Sequence, residues 1–436
     1  MNKNKILNNS GWWILSTLSL IPLILWVFEA PLSPRISNIS LFTRSLGDVF
    51  GLCGMAMFSL VLILSARLKF FENFFNGINE SYSAHHFFGG LAFCFLLFHP
   101  LLLAYNYLTI SFNKAALFLF PGANMAQNFG SIGLFVMTVA LVITFYAKLR
   151  YQVWKFTHKF LGLAFIFAFF HTFLIGADIL SNNALRIYLF ILAVLAMLAY
   201  FYRTLFVDYL VRTFKYEISE IKKYENKTWE ISMSPKNKEI KFIPGQFVFI
   251  KFKNKMLTEE LHPFSFSSAD GLPLKIAVKE LGDYTDKIGD LKIGDSAEVE
   301  GPFGAFSFKN IKNKKQIWVA GGIGIAPFLG MLRSLTDKEK DYNIDLYYSI
   351  RNGTCNAFQV EIKAIAEQNK NLNIIFWNTQ TMGFLTADII KNDIKNFQER
   401  DILICGPSLM MSALKIQMLK MGVAEKRIHI EEFQLY

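Results

Sequence analysis

Four histidines lie in two long apolar segments of the sequence, where their spacing could hold a metal-containing group. They are His85 and His99 in residues 81–103, and His158 and His171 in residues 151–175. Fourteen residues separate the first two, which is just under four helical turns, so both share one helix face. Thirteen residues align the second two less well unless the helix bends or tilts. Ionisable side chains are costly inside a membrane, so each histidine is a candidate functional residue.

Two such helices facing each other would place one histidine pair at each of two depths, about 21 Å apart along the helix. Imidazole nitrogens from two sides are the axial ligands that a six-coordinate haem iron needs. The spacing therefore predicts two b-type haems stacked across the membrane. The alternative is that each histidine is only a hydrogen-bond partner between helices. His86 points elsewhere than His85, and we expect it to face the haem propionates or the lipid interface.

The composition indicates a membrane half followed by a soluble half. The chain has 436 residues, is 53% hydrophobic and contains 45 Phe, most of them before Thr213. Its length allows two or three domains. The formal charge of +11 is typical of inside-facing loops and anionic cofactors in a membrane protein, and nucleic acid is not indicated. The four cysteines have no CxxC spacing, so neither a disulfide framework nor a zinc site is predicted.

Six apolar runs predict six membrane helices, the first of them an uncleaved N-terminal helix. They cover residues 12–28, 43–65, 83–106, 127–147, 152–176 and 184–206. Basic residues cluster in the loops on one side, whereas the other side carries chiefly Arg35, Arg44 and Lys114. The positive-inside bias then predicts that both termini lie in the cytoplasm. The membrane is expected to be the inner, cytoplasmic membrane of the cell. His85 and His158 become the inner pair, and His99 and His171 the outer pair.

Glycines follow both inner histidines by four residues, at Gly89 and Gly162. A small residue there would let a flat macrocycle approach the backbone, and a plain packing role is an equal alternative. Phe165 and Phe167 lie between the two depths, where they either assist transfer or, as we favour, belong to the membrane core.

After residue 212 the apolar residues alternate with polar ones, which predicts an antiparallel β-barrel over residues 213–311. From residue 312 onward, buried strands alternate with helices, which predicts a parallel α/β sheet with right-handed crossovers. Its first strand ends in GGIGIAP, residues 321–327. Glycines at such a turn let phosphates approach the N–H groups of a helix N-terminus. The segment is not the GxGxxG fingerprint, so a classical dinucleotide domain is not directly indicated.

The chain resembles the ferric reductase and NADPH oxidase superfamily over nearly its whole length. The third-helix signature of that family is present as His85, Gly89 and His99, and the fifth-helix signature as Trp154, His158, Gly162 and His171. The resemblance implies a six-helix di-haem domain over residues 1–212, an FAD-binding barrel over 213–311 and an NADPH-binding domain over 312–436. It also favours His85 over His86 as the ligand.

The same resemblance assigns candidate cofactor residues in the soluble half. HPFS is similar to the flavin motif, so that His262, Pro263, Phe264 and Ser265 would line the isoalloxazine. LGDYT is similar to the flavin-phosphate turn, with Gly282, Tyr284 and Thr285 near the pyrophosphate. The two pyridine-nucleotide motifs would be Gly321, Gly322, Gly324 and Pro327, and Cys405, Gly406 and Pro407. Phe433 resembles the aromatic residue that covers the flavin until nicotinamide displaces it.

The activity implied by the resemblance is electron transfer from cytosolic NADPH through FAD and two b-type haems to an outer acceptor. We favour oxygen, giving superoxide, over a ferric chelate, another metal complex, a quinone or a redox partner. Animal oxidases carry a further histidine where this chain has Leu103, which weakens the superoxide interpretation. Arg351 follows the second strand of the last domain, where an arginine can accommodate the 2′-phosphate of NADPH; a solvated surface role is its alternative.

Two alternatives and one open question remain at this stage. Arg44 could pair with a haem propionate, as we favour, or attract an anionic acceptor. A transporter whose histidines relay protons would be a non-enzymatic alternative, and it leaves the flavin and nucleotide motifs unexplained. The oligomeric state is left open by the sequence.

Overall fold

A computed structural model describes most of the chain. The described residues are 10–29, 31–66, 68, 70–71, 74–75, 78–147, 149, 151–176, 181–206, 213–271, 273–336, 339, 341–351 and 358–432. The chain divides into two compact units, Met1–Leu210 and Val211–Tyr436. The division falls beside the boundary that the change from apolar to alternating sequence predicts after residue 212.

The first unit is helical. Its α-helices are α1 (Ser10–Glu29), α2 (Leu32–Arg35), α3 (Ile39–Ser65), α4 (Ile78–Leu108), α5 (Phe112–Leu119), α6 (Met125–Tyr146), α7 (Tyr151–His158), α8 (Phe160–Leu174) and α9 (Asn183–Phe201). Within the described ranges, six helical stretches are long and apolar enough to cross a membrane, α7 and α8 together forming the fifth. The chain is therefore a multi-pass membrane protein, and the prediction of six apolar helices is confirmed.

Capping side chains explain where several of these helices begin. The Asn38 side chain accepts a hydrogen bond from the Leu41 N–H at 2.9 Å, which starts α3 four residues earlier than the apolar run predicts. Ser111 caps α5 in the same way, a short helix that the apolar pattern did not predict. Asn124 and Asn182 cap α6 and α9. A cap satisfies N–H groups that the first helical turn leaves unpaired, so polar residues outside the apolar run decide these boundaries.

The fifth span is not one continuous α-helix, because α7 ends at His158 and α8 begins at Phe160. The Lys159 N–H donates to the Phe156 carbonyl at 3.1 Å, and the Gly162 N–H donates to the Lys159 carbonyl at 3.0 Å. Such bonds between residues three apart tighten the helix locally. With one tightened turn, the thirteen residues from His158 to His171 span about 3.8 helical turns, whereas a regular helix gives about 3.6. The junction therefore brings His158 and His171 closer to one face than a regular helix would.

The second unit begins with an antiparallel barrel. Its strands are β1 (Phe214–Tyr224), β2 (Thr228–Pro235), β3 (Phe247–Lys253), β4 (His262–Ser265), β5 (Leu274–Lys279) and β6 (Ser296–Phe303). Their order is β4-β3-β6-β1-β2-β5. An antiparallel bridge between Phe266 and Ile276 joins the two ends of this order and closes the barrel. Alternate apolar residues fill its interior, which confirms the predicted antiparallel β-barrel.

The barrel is followed by a parallel sheet in the order β11-β10-β7-β8-β9. The strands are β7 (Lys315–Gly321), β8 (Asn343–Ile350), β9 (Leu372–Asn378), β10 (Asp401–Cys405) and β11 (Ile428–Glu431). The intervening helices are α10 (Ile325–Arg333), α11 (Gln359–Gln368), α12 (Thr379–Met382), α13 (Ala387–Asp393) and α14 (Ser408–Lys420). Apolar clusters cover both faces of the sheet, as parallel sheets require. The predicted parallel α/β sheet is confirmed.

Arg333 joins the barrel to the parallel-sheet domain within this unit. Its guanidinium donates to both carboxylate oxygens of Glu361 on α11, at 2.6 and 2.7 Å. It also donates to Glu230 on β2 and to the Ser267 carbonyl, each at 2.7 Å. Only 12% of the Arg333 side chain and 6% of that of Glu230 are exposed. Buried charges need such partners, so this arginine fixes the two domains against each other.

Candidate functional site

The structure brings the four membrane histidines together in two pairs. The ring centroids of His85 and His158 are 6.4 Å apart, and those of His99 and His171 are 6.2 Å apart. A bond from an imidazole nitrogen to a metal is about 2 Å, so two such bonds and two half-rings span about 6 Å between centroids. Each pair is therefore separated by a distance that suits one metal ion held between two imidazoles.

Each of these rings uses its Nδ1 atom in a hydrogen bond to a neighbouring helix. Three Nδ1 atoms bond backbone carbonyls: His85 to Val61 at 3.1 Å, His99 to Gly47 at 2.8 Å and His171 to Ala126 at 2.8 Å. A carbonyl can only accept, so the proton lies on Nδ1 and the lone pair on Nε2 of a neutral ring. This is the tautomer in which Nε2 can bind a metal, and partners of this kind orient metal-binding histidines.

His158 has a hydroxyl in place of a carbonyl. Its Nδ1 lies 3.5 Å from the Thr144 Oγ1 atom, and the Thr144 hydroxyl donates its own proton to the Ala140 carbonyl at 2.7 Å. The hydroxyl oxygen is therefore free to accept from Nδ1. The indole of Trp154 stacks on the same imidazole, with ring centroids 5.3 Å apart. These contacts orient His158 more loosely than a carbonyl orients the other three rings.

The residues fit a haem better than a bare metal ion. No group of three or more His, Cys, Asp or Glu side chains that could hold a metal ion occurs in the part of the chain that the structure describes. Two imidazoles alone leave most coordination positions of an iron unfilled, and a porphyrin fills four in the plane between them. The tautomers of the four imidazoles and the spacing within each pair thus suit one haem between the two rings of each pair.

The two glycines predicted near the inner pair differ in their surroundings. A methyl group at Gly89 would have only the Val61 side chain within reach, at 3.7 Å, so space is open there. A methyl group at Gly162 would lie 2.0 Å from the Tyr200 ring. Gly162 is therefore a packing residue between α8 and α9, and Gly89 is the one that could face a macrocycle. His86 is exposed, with its ring 5.8 Å from that of His85.

The two flavin motifs meet in the barrel. His262 on β4 stacks on Tyr284, with ring centroids 3.7 Å apart and planes inclined by 23°. The His262 Nε2 atom also lies 3.2 Å from the Glu260 carboxylate, which accepts a hydrogen bond from it. Burial raises the pKa of the Tyr284 phenol, which therefore stays protonated. The ring pair joins β4 to the turn that follows β5.

The turn that contains Tyr284 presents an open glycine. The Thr285 hydroxyl oxygen accepts from the N–H groups of Leu281 and Gly282 at 2.9 and 3.1 Å. No atom lies within 4 Å of the position that a Gly282 methyl group would occupy. A compact turn with an uncrowded glycine lets a phosphate approach the backbone, so the turn fits the predicted pyrophosphate position.

The side chains of β4 divide between two faces. Because strand residues alternate, His262 and Phe264 point one way, and Pro263 and Ser265 the other. Phe264 lies in the barrel core beside Phe252, so these four side chains do not all face one ligand. β4 pairs with β3 along one edge. Its backbone, with Pro263 and Ser265, is the part that could contact a flavin ring.

A buried carboxylate that sequence reasoning missed lies beside the second nucleotide motif. Glu431 is 5% exposed and stands opposite Cys405 in the parallel register of β10 and β11. Burial, together with this carboxylate, raises the pKa of the Cys405 thiol. A methyl group at Gly304, where φ is +86°, would lie 3.2 Å from the Glu431 carboxylate. The predicted flavin-covering residue Phe433 lies outside the described residues.

The two nucleotide motifs pack against each other through their glycines. A methyl group at Gly324 would lie 2.3 Å from the Cys405 carbonyl, and one at Gly406 would lie 3.0 Å from the backbone of Gly321. A methyl group at Gly321 would meet the Pro407 ring at 2.8 Å. Pro327 is buried in the first turn of α10. The small residues of the two motifs thus allow the carboxyl ends of β7 and β10 to lie close together.

Gly322 is the glycine of this region that faces open space. It has φ +54°, and no atom lies within 4 Å of a methyl group placed there. It borders a cleft of about 410 Å³ that Arg351 also lines, so the structure brings these two predicted residues to one cavity. Lys227 and Lys279 line the same cleft from the barrel side, and no sequence motif marks either residue. Three cations around one cleft suit a phosphate-bearing ligand.

Comparisons with protein families match this architecture in three consecutive parts. A family described as ferric reductase like transmembrane component matches residues 50–169, an FAD-binding domain matches residues 213–322, and an oxidoreductase NAD-binding domain matches residues 318–415. The chain belongs by this domain architecture to the ferric reductase and NADPH oxidase superfamily. These are the domains of an NAD(P)H-dependent flavin oxidoreductase joined to a transmembrane component.

Individual relatives cover about half of the chain. The anthranilate 1,2-dioxygenase electron transfer component of Acinetobacter baylyi is 25% identical over 209 residues, which are 45% of this chain and 59% of that protein. NADH-cytochrome b5 reductase 1 of Laccaria bicolor is 31% identical over 185 residues, which are 39% of this chain and 60% of that protein. The chain thus spans about three-fifths of the length of these relatives. A flavohaem-like FAD/NAD-binding domain of a Vibrio cholerae nitric oxide dioxygenase has a TM-score of 0.45 at 20% identity, covering 50% of this chain and 98% of that one.

Proposed function

We propose that this protein carries electrons from cytosolic NADPH, through FAD and two b-type haems, to an acceptor on the outer face of the membrane. The observation that carries the proposal is the pairing of four histidines at two depths, each ring bonded through Nδ1 to a neighbouring helix. When bound, FAD supplies the exchange between hydride transfer and single-electron transfer, and haem supplies one-electron carriers. Both termini and the second unit lie in the cytoplasm in this proposal.

His85 and His158 hold the inner haem, and His99 and His171 hold the outer one. The hydrogen bonds to Val61, Gly47 and Ala126 keep three of these rings in the tautomer that presents Nε2. Two histidines bound to each haem would leave no coordination position for the acceptor. Transfer at the outer face is therefore outer-sphere, and it needs no catalytic side chain that touches the acceptor.

The second unit binds and orients the two nucleotides. The backbone of β4 and the turn around Gly282 hold FAD, and His262 and Tyr284 fix these two segments together. Gly322 lets the phosphates of NADPH approach the backbone at the start of α10, and Arg351 receives its 2′-phosphate. In this proposal Phe433 would cover the flavin until nicotinamide replaces it, and Cys405, the last residue of β10, would lie in the nucleotide site.

Arg44 is exposed in the second turn of α3, three residues before the Gly47 carbonyl that accepts from His99. In this proposal the Arg44 guanidinium pairs with a propionate of the outer haem. Leu103 occupies the position of the further histidine of animal oxidases. Its side chain packs against Gly47, since a methyl group added to Gly47 would lie 3.0 Å from it. The outer site of this chain therefore has an apolar side chain at the position where animal oxidases carry that histidine.

The acceptor that we propose is oxygen, which takes one electron to give superoxide. The test is NADPH-driven reduction of cytochrome c in air by the purified protein with added FAD, with and without superoxide dismutase. Loss of the signal with dismutase supports oxygen as the immediate acceptor. A signal that dismutase leaves unchanged would contradict it and favour direct reduction of an added acceptor, such as a ferric chelate. Absence of haem from the purified protein would overturn the whole electron path.

A further inference from the structure

The helices that precede the two histidine-bearing spans share one spacing of small residues. A small residue is followed by glycines four and seven positions later: Gly47, Gly51 and Gly54 in α3, and Ala126, Gly130 and Gly133 in α6. Small residues at such spacing let two membrane helices approach closely. Each of the three positions makes the corresponding contact with the histidine-bearing helix in both cases, although the other residues of α3 and α6 differ.

The first position of each motif supplies the hydrogen-bond acceptor. The Gly47 carbonyl accepts from His99 Nδ1, and the Ala126 carbonyl accepts from His171 Nδ1, both at 2.8 Å. In an α-helix, the Cα–Cβ bond of each residue tilts toward the N-terminus, so a side chain covers the carbonyl four residues before it. Access to these two carbonyls is therefore controlled by residues 51 and 130.

The second position is a glycine whose missing side chain makes room for the imidazole. A methyl group at Gly51 would lie 2.7 Å from His99 Nδ1 and 2.9 Å from its Cε1 atom. A methyl group at Gly130 would lie 2.7 Å from His171 Nδ1 and 2.9 Å from its Cε1 atom. These distances are too short for carbon in contact with a ring, so alanine at either position would displace the imidazole from its carbonyl.

The third position contacts the histidine-bearing helix without touching the imidazole. The place of a Gly54 methyl group lies 3.3 Å from Phe95 Cβ, and that of a Gly133 methyl group lies 3.1 Å from Phe167 Cβ. Both phenylalanines precede an outer histidine by four residues. The pair formed by α3 and α4 and the pair formed by α6 and α8 therefore share one pattern of contacts around the outer histidines.

The inner histidines lack this arrangement. His85 bonds the Val61 carbonyl at 3.1 Å, and four residues later the chain has Ser65. His158 bonds a threonine side chain. We infer that Gly51 and Gly130 are positioning residues of the outer haem, each opening a carbonyl of its own helix to one axial histidine. The inference rests on the proposed function, because it assumes that His99 and His171 bind haem.

The test measures haem content, reduced-minus-oxidised spectra and midpoint potentials of the purified full-length protein carrying Gly51→Ala or Gly130→Ala. We expect the haem-to-protein ratio to fall from two toward one, with 10- to 100-fold weaker retention of the outer haem, as loss of such partners typically causes. The remaining outer haem should have an altered potential, while the inner haem keeps its spectrum. Two haems with wild-type spectra and potentials in both variants would overturn the inference.

Two controls separate ring positioning from helix packing. Gly90→Ala lies in α4, where no atom lies within 4 Å of the added methyl group, and should leave both haems unchanged. Gly54→Ala adds a methyl group 2.9 Å from the flexible Leu96 side chain but touches no histidine. It should retain the outer haem, and equal loss of outer haem in Gly54→Ala and Gly51→Ala would overturn the inference.

A double variant keeps the inference testable even where Gly51→Ala alone does not fold. In a His99→Ala background, the ring that the new methyl group would displace is absent. Adding Gly51→Ala should then cause no further loss of yield or of inner haem, since coupled residues are not additive. A further loss in this background would show that Gly51 acts through packing. Wild-type protein without haem would instead contradict the proposed function itself.

Discussion

His262 and Tyr284 stack ring on ring with their centroids 3.7 Å apart, which ties the strand of one flavin motif to the turn of the other. Aromatic pairs of this kind contribute about 0.5–1.5 kcal/mol beyond the area that they bury. We expect Tyr284→Leu to weaken FAD binding about 2- to 12-fold, because the turn at Gly282 loses its support. Tyr284→Phe keeps the ring and should bind FAD nearly as wild type does. Fluorescence titration of the apoprotein with FAD measures both, and equal weakening in the two variants would contradict the role of the stack.

Replacement of an outer histidine should separate flavin reduction from external electron transfer. We expect His99→Ala or His171→Ala to lose one haem equivalent and nearly all reduction of an acceptor outside sealed vesicles. Reduction of FAD by NADPH, followed by its absorbance in the absence of oxygen, should continue at the wild-type rate. Exposed His86 gives a control, since His86→Ala should keep both haems. External activity that persists in the His99 or His171 variants would disprove the path through two haems.

Arg351 should decide between the two nicotinamide nucleotides. A hydrogen bond to a charged group contributes about 1.5–3 kcal/mol, so Arg351→Ala should raise the KM for NADPH by roughly 10- to 100-fold. The KM for NADH should change little, since NADH has no 2′-phosphate. Arg351→Lys keeps the charge without the bidentate geometry and should lie between these values. The ratio of the two KM values, measured with an artificial acceptor, reports this directly, and a parallel change for both nucleotides would argue against contact with the 2′-phosphate.

The ion network of Arg333 should stabilise the second unit. Arg333→Met leaves the buried Glu230 carboxylate without its cation, and removing one partner of a buried pair costs about 3–5 kcal/mol. Thermal release of FAD, followed by its fluorescence, should then occur at a clearly lower temperature. Lys415→Met removes the cation of a more exposed pair, with Glu425, and should cost less than about 1 kcal/mol. Similar losses in both variants would mean that Arg333 is no more important than a surface cation.

The same network predicts a loss of stability in acid. Burial alone would raise the pKa of the Glu361 carboxyl, but its hydrogen bonds to Arg333 outweigh this and hold the pKa below its usual value of 4.5. A carboxyl with a lowered folded-state pKa stabilises the fold above its unfolded pKa, and this contribution disappears as the pH falls through the folded-state value. The temperature of FAD release in the wild type should therefore drop below about pH 4.5. In Glu361→Gln the temperature of FAD release should be lower at pH 7 and should fall less in acid. If it falls as much as in the wild type, Glu361 is not a source of the acid sensitivity.

Much of the architecture was predictable because it depends on local pattern. Apolar runs, strand alternation and glycine turns report the burial of each segment, so the six membrane helices, the barrel and the parallel sheet followed from the sequence. Helix boundaries were less accurate, since capping residues such as Asn38 and Ser111 lie outside the apolar runs. The four histidines were identifiable because ionisable residues stand out in apolar helices.

Only the tertiary structure decided which partners these residues have. That Gly51 clears space for His99, and Gly130 for His171, depends on the approach of helices that are distant in sequence. The placement of Lys227 and Arg351 around one cleft, and of Glu431 opposite Cys405, likewise follows from how strands and turns pack. A sequence shows which side chains are costly to bury. Hydrogen bonds and steric clearances act over a few ångströms between segments, so their partners appear only when the chain is folded.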